Sequence, residues 1–362
     1  YGHKNMERPY IVKFVPHRKE KDYEQILMRQ TKEGKGLSDD GRYQFVIDER
    51  IEDADFWVVQ GKGLRHSETC NVAPQNILLL TTEPQSVLIY PKPYLRQFGM
   101  ISSCQEQIKH PNIVFGQAAL SWLIGFSKNQ DGSYRYSQDY ESLTNSPVPP
   151  KTKLISVITS DKAFTQGHID RIKFVEKLKQ RYGDKIDVFG RGYRNFDDKW
   201  DILAPYKYHV AIENSSQRFY WTEKIADCFL TQTFPFYYGC TNLSDYFPKD
   251  AYQEIDILNF EHSIEQIDRI IRDDTYEKKQ DVLTECKRLV LGKYNLFNYI
   301  ASLCDRLDAS REKKPVTLQP CNSMQDWRNV YNYVVAYNFA KFKNLFNNHS
   351  LLKSQERWKK LK

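Results

Sequence analysis

The sequence predicts an α/β protein made of two consecutive Rossmann-like domains. Short apolar runs typical of buried strands alternate with helical stretches in the first 80 residues, and again between residues 154 and 239. This alternation favours parallel sheets flanked by helices. A polar linker at about 137–152, with three prolines between residues 147 and 150, separates the two series. Two such domains leave a central cleft at the carboxyl ends of their strands, where folds of this kind bind ligands.

The first series predicts an N-terminal domain over residues 1–150. Its strands are expected at four apolar runs, namely Tyr10–Val15, Tyr43–Val46, Phe56–Val59 and Ile77–Leu80. A helical stretch near Tyr23–Thr31 and a glycine-rich loop at 34–41 lie between the first two runs.

The second series predicts a C-terminal domain over residues 151–310. Strands are expected at 154–160, 185–190, 209–214 and 234–239, and helices at Gly167–Tyr182 and Trp221–Leu230. Beyond about residue 260 the periodicity becomes helical, over 262–311 and again over 322–346. We therefore expect residues 311–362 to form a helical, basic C-terminal tail.

Composition excludes several classes of protein. At 362 residues, with 40% apolar and 27% charged residues, the chain suits two globular domains. No run of about 18 apolar residues predicts a membrane span, and Tyr1–Pro9 lacks the apolar core of a signal peptide. The seven cysteines are scattered without CxxC spacing, which argues against a disulfide framework or zinc site and favours a reducing compartment. We expect a cytoplasmic protein.

Most of the positive charge lies at the C-terminus. The net charge is +7, and residues 338–362 alone contribute +6, so the remainder is nearly neutral. A neutral body argues against a broad nucleic-acid surface. Phe339, Phe342 and Phe346 recur at helical spacing among the basic residues of this tail. It therefore either binds an anionic membrane, at the inner face, or packs back on the two domains.

The densest group of polar residues lies at 207–239, where an apolar strand ends in Glu213-Asn214-Ser215 and a helix opens with Thr222-Glu223-Lys224. The N-terminus of a helix beside a strand end attracts anions, because its free N–H groups and its dipole face the ligand. Lys224 would add a charge for phosphate, and Glu223 could bridge two hydroxyls of a ribose or sugar. Alternatively, Thr222 only caps the helix, and Glu223 and Lys224 form a solvated pair.

The pattern ENSxxxxYxTEK at 213–224, followed by an apolar helix and a PxxxG strand, resembles the signature of family 10 glycosyltransferases, the α-1,3/1,4-fucosyltransferases, particularly the bacterial ones. The segment 158–193, ITSDKAFTQGHIDRIKFVEKLKQRYGDKIDVFGRGY, is similar to an upstream segment of that family. The resemblance is strong from about 154 to 300 and looser from about 76 to 125.

The resemblance implies a GT-B fold, with an N-terminal acceptor domain and a C-terminal domain that binds GDP-fucose. It implies inverting transfer of L-fucose to a hydroxyl of an oligosaccharide, in protein glycosylation or lipopolysaccharide synthesis. By position, Arg171 matches the arginine that neutralises the diphosphate, and Glu223 and Lys224 match the donor-binding pair. Other residues expected at the donor site are Gly190, Arg191, Asn214, Tyr220 and Thr222.

Glu83 is the candidate catalytic base. It follows the predicted strand at 77–80 and would face the cleft, and its segment resembles the one that holds the family's proposed catalytic glutamate. The alternative is a loop carboxylate before a proline turn. Trp122 is a candidate for stacking on an acceptor sugar, although a core tryptophan is an equal alternative.

We expect no required metal and no cofactor beyond the donor substrate. The DxD triplet at 53–55 precedes a strand instead of following one, and the eight histidines lack metal-binding spacing. Three departures from the family pattern concern the sugar, namely Asp161, Trp221 and the triplet 231–233. The alternatives are therefore a transferase for another GDP-deoxysugar, or a catalytically inactive glycan-binding relative.

Overall fold

The computed structural model describes residues 8–159 and 166–324. In the first half, strands alternate with short helices. These elements are β1 (Tyr10–Val15), α1 (Tyr23–Met28), β2 (Tyr43–Ile47), β3 (Phe56–Gln60), β4 (Glu68–Val72), β5 (Ile77–Leu80), α2 (Lys92–Leu95), β6 (Met100–Ser103), β7 (Ile113–Phe115), β8 (Phe126–Lys128), β9 (Tyr134–Tyr136) and α3 (Tyr140–Asn145). A six-stranded parallel sheet has the order β2-β1-β3-β5-β6-β7, and β8 pairs antiparallel with β9.

The second half contains another parallel sheet, followed by a helical segment. Its elements are β10 (Lys153–Ile158), α4 (Gln166–Tyr182), β11 (Ile186–Phe189), β12 (Tyr206–Ile212), α5 (Glu223–Leu230), β13 (Phe234–Tyr238), β14 (Gln253–Glu254), α6 (Phe260–Arg272), α7 (Thr275–Lys278), α8 (Gln280–Leu291), α9 (Leu296–Cys304) and β15 (Lys314–Leu318). The five-stranded sheet has the order β11-β10-β12-β13-β14, and β15 pairs antiparallel with β4.

The strand order places a ligand crevice in each sheet. Chain direction across the sheet reverses between β1 and β3 in the first sheet and between β10 and β12 in the second. A parallel sheet binds ligands at the carboxyl ends of its strands next to such a reversal. Side chains from both halves line one cavity at this level. Two Rossmann-like sheets facing a common cleft form a GT-B fold, which confirms the predicted fold class.

The longer apolar runs form the predicted strands. β1 and β5 have the predicted bounds, and the other predicted strands overlap observed ones. Every residue of β3 and β5 is buried, which explains why these strands read as continuous apolar runs. Sequence reasoning missed β4, β6, β7, β8 and β9, because each is only three to five residues long and, apart from the three-residue β7, none is a continuous apolar run.

Two predictions from the sequence were wrong in part. The linker at 137–152 contains the helix α3, whose N-terminus is closed by a capping box between Asp139 and Ser142. The three prolines of the linker lie after the end of this helix. The expected helical tail at 311–362 begins with the strand β15, because Lys314–Leu318 has an edge to pair with on β4. Residues 325–362, with the basic segment predicted to bind membranes, lie outside the described residues, as does Asp161.

Hydrophobic side chains pack across the predicted domain boundaries at residues 150 and 310. The boundaries themselves stay a prediction. The helix α9 belongs to the core of the first sheet, where the ring of Phe297 lies 4.9 Å from Phe45 and 6.3 Å from Phe14. Conversely, Ile124 and Leu143 pack in the core of the second sheet. Each half therefore completes the hydrophobic core of the other.

All seven cysteines are free and buried, as a reducing compartment would allow. Over residues 8–159 and 166–324, no helix combines the length and the apolar character needed to span a bilayer.

We expect Phe297→Ala to destabilise the protein by about 3–5 kcal/mol, because it leaves a cavity between Phe14 and Phe45 in the first core. Urea unfolding with fluorescence detection would measure the change. Phe297→Leu keeps most of the buried volume and serves as the control, with a smaller loss. Equal midpoints for the alanine variant and the wild type would show that α9 does not hold the first core together.

Candidate active site

A cavity of about 670 Å³ lies in the cleft, at the carboxyl ends of β10, β11 and β12. The helices α4 and α5 direct their N-terminal turns into it. From the first half, Arg18, Leu123 and Phe126 line the same cavity. Its size is that of a small-molecule site, and its position next to the strand-order reversal of the second sheet is the expected one.

Most of the residues predicted to bind a donor line this cavity. They are Arg171, Gly190, Arg191, Asn214, Glu223 and Lys224. Tyr220 and Thr222 are buried behind the wall: Thr222 contacts Lys224, which lines the cavity, and Tyr220 contacts Glu83, which is not among the lining residues. Gly190 has a positive φ of 118°, and a Cβ there would lie 1.8 Å from the carbonyl oxygen of Thr159. Only glycine therefore fits this close approach of two strand ends.

A buried network fixes the start of α5. Thr222 is the N-cap residue, and its Oγ1 accepts a hydrogen bond from the N–H of Lys224 at 3.2 Å. The hydroxyl of Thr222 donates to Glu213 Oε2 at 2.8 Å, and its backbone N–H donates to Oε1 at 3.0 Å. Lys224 Nζ lies 3.6 Å from both Glu213 Oε2 and Glu223 Oε1. Thr222 thus caps the helix, but Glu223 and Lys224 are not merely a solvated pair.

Lys224 keeps its charge in this network. Burial alone would lower its pKa, but the carboxylates of Glu223, Glu213 and Glu83 raise it to about 12. Burial likewise tends to raise the pKa of Glu223, yet Lys224 and Lys199 hold that pKa below its ordinary value. A permanent cation beside an ionised carboxylate therefore faces the cavity.

In the sequence, Glu213 marks only the end of a predicted strand and has no predicted role in the site. Its carboxylate is fully buried, and burial raises its pKa. A Cβ at Gly239 would lie 2.3 Å from Glu213 Cγ, so that glycine makes room for the carboxylate. A glutamate that ends an apolar strand, with a glycine at the end of the next strand, is the signal that could have identified it.

Sequence reasoning also missed Lys199 and His209, which line the cavity. Lys199 Nζ lies 2.8 Å from Asp227 Oδ2, and that carboxylate also accepts the N–H of Leu123 at 3.2 Å. His209 Nδ1 lies 2.7 Å from Ser156 Oγ, and burial, with Lys199 nearby, lowers the pKa of His209 to about 3. His209 is therefore neutral at physiological pH. Asp227 therefore joins Lys199 in the cavity wall to Leu123 in the first half.

Arg171 presents its guanidinium to the cavity from the second turn of α4. Its Nε is buried and has no hydrogen-bond partner among the described residues. Burial lowers its pKa, although an arginine remains charged at neutral pH. A bound anion would supply the missing partner.

Glu83 follows β5 at the carboxyl end of the first sheet. Its backbone carbonyl accepts a hydrogen bond from Gln105 Nε2 at 2.8 Å, which fixes the loop. The hydroxyl of Tyr220 donates to Glu83 Oε2 at 3.4 Å, so the two halves meet at this carboxylate. Burial raises the pKa of Glu83, while Lys224 opposes the rise. Glu83 and Tyr220 are thus brought next to the Lys224 network.

The structure does not bring Trp122 to the cleft surface. Its side chain is 3% exposed and packs in the second core with Ile124 and Leu143. The guanidinium of Arg29 lies 5.1 Å from its ring centroid. Stacking on an acceptor sugar needs an open ring face, so the core alternative for Trp122 is the correct one.

The DxD carboxylates have structural partners elsewhere. Lys313 Nζ lies 2.7 Å from Asp53 Oδ2 and 2.9 Å from Asp55 Oδ1, and Asp55 also accepts the N–H of Ile11 at 2.7 Å. In the part of the chain that the structure describes, no group of three or more His, Cys, Asp or Glu side chains is arranged to hold a metal ion. Whether the protein needs a metal stays a prediction.

We expect Thr222→Val to destabilise the protein by about 1–2 kcal/mol, because it removes both the helix cap and the hydroxyl donor to Glu213 without changing the side-chain volume. Thr222→Ser keeps the hydroxyl and is the matched control. The midpoint of thermal unfolding, measured for both variants at neutral pH, checks the prediction. Equal midpoints would mean that the hydroxyl contributes nothing to this network.

Residues 148–327 match the model of glycosyltransferase family 10 (fucosyltransferase), C-terminal domain. An α-(1,3)-fucosyltransferase of Helicobacter pylori, FucT, is 35% identical over 77 residues. That alignment covers 21% of this chain and only 16% of the relative's length. The similarity is thus concentrated in a short segment.

Two solved structures are similar in shape at low sequence identity. A crystal structure of α1,3-fucosyltransferase with GDP is 16% identical, with a TM-score of 0.49, and the match covers 84% of this chain and 92% of that one. A crystal structure of α1,3-fucosyltransferase with GDP-fucose is also 16% identical, with a TM-score of 0.45 and coverages of 82% and 93%.

The family model covers the second sheet, the helices α4 and α5, and the cavity residues from His168 to Lys224. The segment that it matches is therefore the one that carries most of the cationic residues of the cavity. On this match, the chain is an enzyme that belongs to glycosyltransferase family 10.

Proposed function

We propose that this glycosyltransferase transfers L-fucose from GDP-fucose to a hydroxyl of an oligosaccharide, with inversion at the anomeric carbon. The observation that carries the proposal is the carboxylate of Glu83 from the first half, which accepts a hydrogen bond from Tyr220 and lies close to Lys224, a cation that lines the cavity. The description of the family as fucosyltransferases, and the names of its relatives, support fucose as the sugar.

The donor would bind with its diphosphate near Arg171, Lys224 and the N-terminus of α5. When the bond to the sugar breaks, negative charge grows on the departing GDP, and fixed cations stabilise that charge without having to rearrange. Glu223 would accept hydrogen bonds from hydroxyls of the ribose or the sugar. Its lowered pKa keeps it ionised for that role.

Glu83 would act as the base. One carboxylate oxygen takes the proton of the acceptor hydroxyl, and the acceptor oxygen attacks the anomeric carbon on the face opposite the diphosphate. The new C–O bond forms as the bond between the anomeric carbon and the phosphate oxygen breaks, and GDP keeps the electron pair. Tyr220, which donates to Glu83 Oε2, would orient the carboxylate.

We expect Glu83→Gln to reduce the transfer rate by roughly 10²- to 10⁴-fold, because the amide cannot accept the proton. The affinity for GDP should stay within about twofold of wild type, since no donor contact is removed. Transfer to a labelled glycan and calorimetric titration with GDP would measure the two quantities. Glu52→Gln, which changes an exposed glutamate before β3, is the control. A wild-type transfer rate in Glu83→Gln would remove Glu83 as the base.

The rate should also fall at acid pH, with a midpoint above 4.5, the ordinary value of a glutamate. Glu83 must be ionised to act as a base, and burial raises its pKa, so activity is lost as the pH falls through that raised value. A profile of kcat/KM between pH 4 and 8 checks this. An acid limb centred at or below 4.5 would contradict the raised pKa.

Two other functions are outcomes of the same measurements. Turnover of another GDP-deoxysugar in preference to GDP-fucose would keep the mechanism and change the sugar. Binding of glycans with no turnover of any GDP-sugar would identify a catalytically inactive relative. A panel of GDP-sugars, with GDP release as the readout, separates these outcomes.

Two further proposals, on the metal and on the membrane, follow from the sequence. We expect transfer without a required metal, and therefore full activity in the presence of a chelator. The basic tail at 338–362 would hold the enzyme at an anionic membrane surface on the cytoplasmic side, where its glycan acceptor would be reached.

A further inference from the structure

The cavity has a wall that the proposed diphosphate contacts leave unused. Leu123, Phe126 and Phe196 line the cavity, and so does Asp197, which is exposed there. None of these four residues has a role in the proposed mechanism. Aromatic faces stack on planar rings, and a carboxylate accepts hydrogen bonds along the edge of such a ring.

We infer that Asp197 recognises the base of the donor nucleotide and selects guanine, while Phe196 beside it offers a stacking face. The inference rests on the proposed function, because it takes the cavity to be the site of a nucleoside diphosphate sugar. It adds to that proposal a residue that determines which nucleotide is accepted.

Asp197 has the wrong charge for a phosphate contact. The cations that line the cavity are Arg18, Arg171, Arg191, Lys199 and Lys224, and the carboxylates are those of Asp197 and Glu223. Glu223 lies 3.6 Å from Lys224 Nζ, whereas no hydrogen bond or ion pair within the described residues involves the side chain of Asp197. Asp197 is exposed at the cavity wall, so its carboxylate is accessible to a neutral group that donates hydrogen bonds.

The connection that carries Asp197 is held against the first half. It follows β11, and its next residue, Asp198, accepts the N–H of Gly125 at 2.9 Å and the hydroxyl of Ser137. These bonds fix residues 196–199 beside the segment that contributes Leu123 and Phe126. A flat base could therefore lie between apolar side chains from the two halves.

This wall is also next to the proposed ribose contact. Lys199, two residues after Asp197, forms the ion pair with Asp227 on α5 and lowers the pKa of Glu223 at the start of the same helix. Glu223 is the residue proposed to hold ribose or sugar hydroxyls. A nucleoside whose ribose reaches Glu223 would thus have its base on the side of residues 196–199.

Guanine is the base whose edge fits a carboxylate. Its N1–H and its exocyclic amine are adjacent donors that can reach the two oxygens of one carboxylate. Hypoxanthine lacks the amine, and xanthine carries a carbonyl oxygen in its place. The N–H of uracil stands between two carbonyl oxygens, which a carboxylate would repel. The side chain therefore predicts a preference for GDP over the diphosphates of these three bases.

The test is calorimetric titration of the wild type and of Asp197→Asn with GDP, inosine diphosphate, xanthosine diphosphate and UDP. The wild type should bind GDP roughly 10-fold or more tightly than inosine diphosphate, because the missing amine leaves the carboxylate unpaired. Asp197→Asn should lose roughly 10- to 100-fold in GDP affinity. It should bind xanthosine diphosphate more tightly than GDP, because the new amide can donate to the carbonyl oxygen of xanthine.

Asp201→Asn is the matched control, since Asp201 belongs to the same connection but does not line the cavity. It should keep the wild-type order of affinities. If the wild type prefers GDP and Asp197→Asn keeps the same ratio of GDP to inosine diphosphate and xanthosine diphosphate affinity, the role of Asp197 is wrong and the proposed donor stands. If the wild type does not distinguish GDP from UDP, the proposed GDP-sugar donor itself is wrong.

Discussion

The site depends on one half-buried cation, Lys224, and the carboxylates around it. Glu213 and Glu223 lie 3.6 Å from its ammonium group, and Glu83 adds a third negative charge from the other half. Burying any one of these charges costs free energy, and the opposite charges beside it offset that cost. The network therefore ties the end of β12, the start of α5 and the loop after β5 to one another. The anion-binding side of the cavity and the proposed base are thereby held in a fixed relation.

The two halves also share their hydrophobic cores, and this sharing defines the cleft. The helix α9 returns to the first sheet, while Ile124 and Leu143 pack into the second. Hydrogen bonds also connect the two halves: Asp227 accepts the N–H of Leu123, and Asp198 accepts that of Gly125. These bonds hold residues 123–125 of the first half against the second half.

Charge divides the cavity into two functional parts. Cations from α4, α5 and the loop after β11 provide the environment that a diphosphate needs, and the neutral His209 in the middle of β12 adds no charge to it. The apolar wall with Asp197 has the opposite character. A ligand that carries both a diphosphate and a planar base matches this division. An inorganic anion alone would leave the apolar wall unoccupied.

The sequence by itself determined the class of fold, the strands that are buried on both faces, and the group of residues from Asn214 to Lys224 at the cavity. Those features depend on local patterning: apolar runs form strands, and a threonine before Glu-Lys starts a helix. The tertiary structure alone decided that Glu213 is buried under Lys224, that Trp122 is a core residue, that Lys314–Leu318 is a strand, and that Lys199 and Asp197 line the cavity. These outcomes depend on contacts between residues far apart in the chain, and a local pattern does not specify its partner.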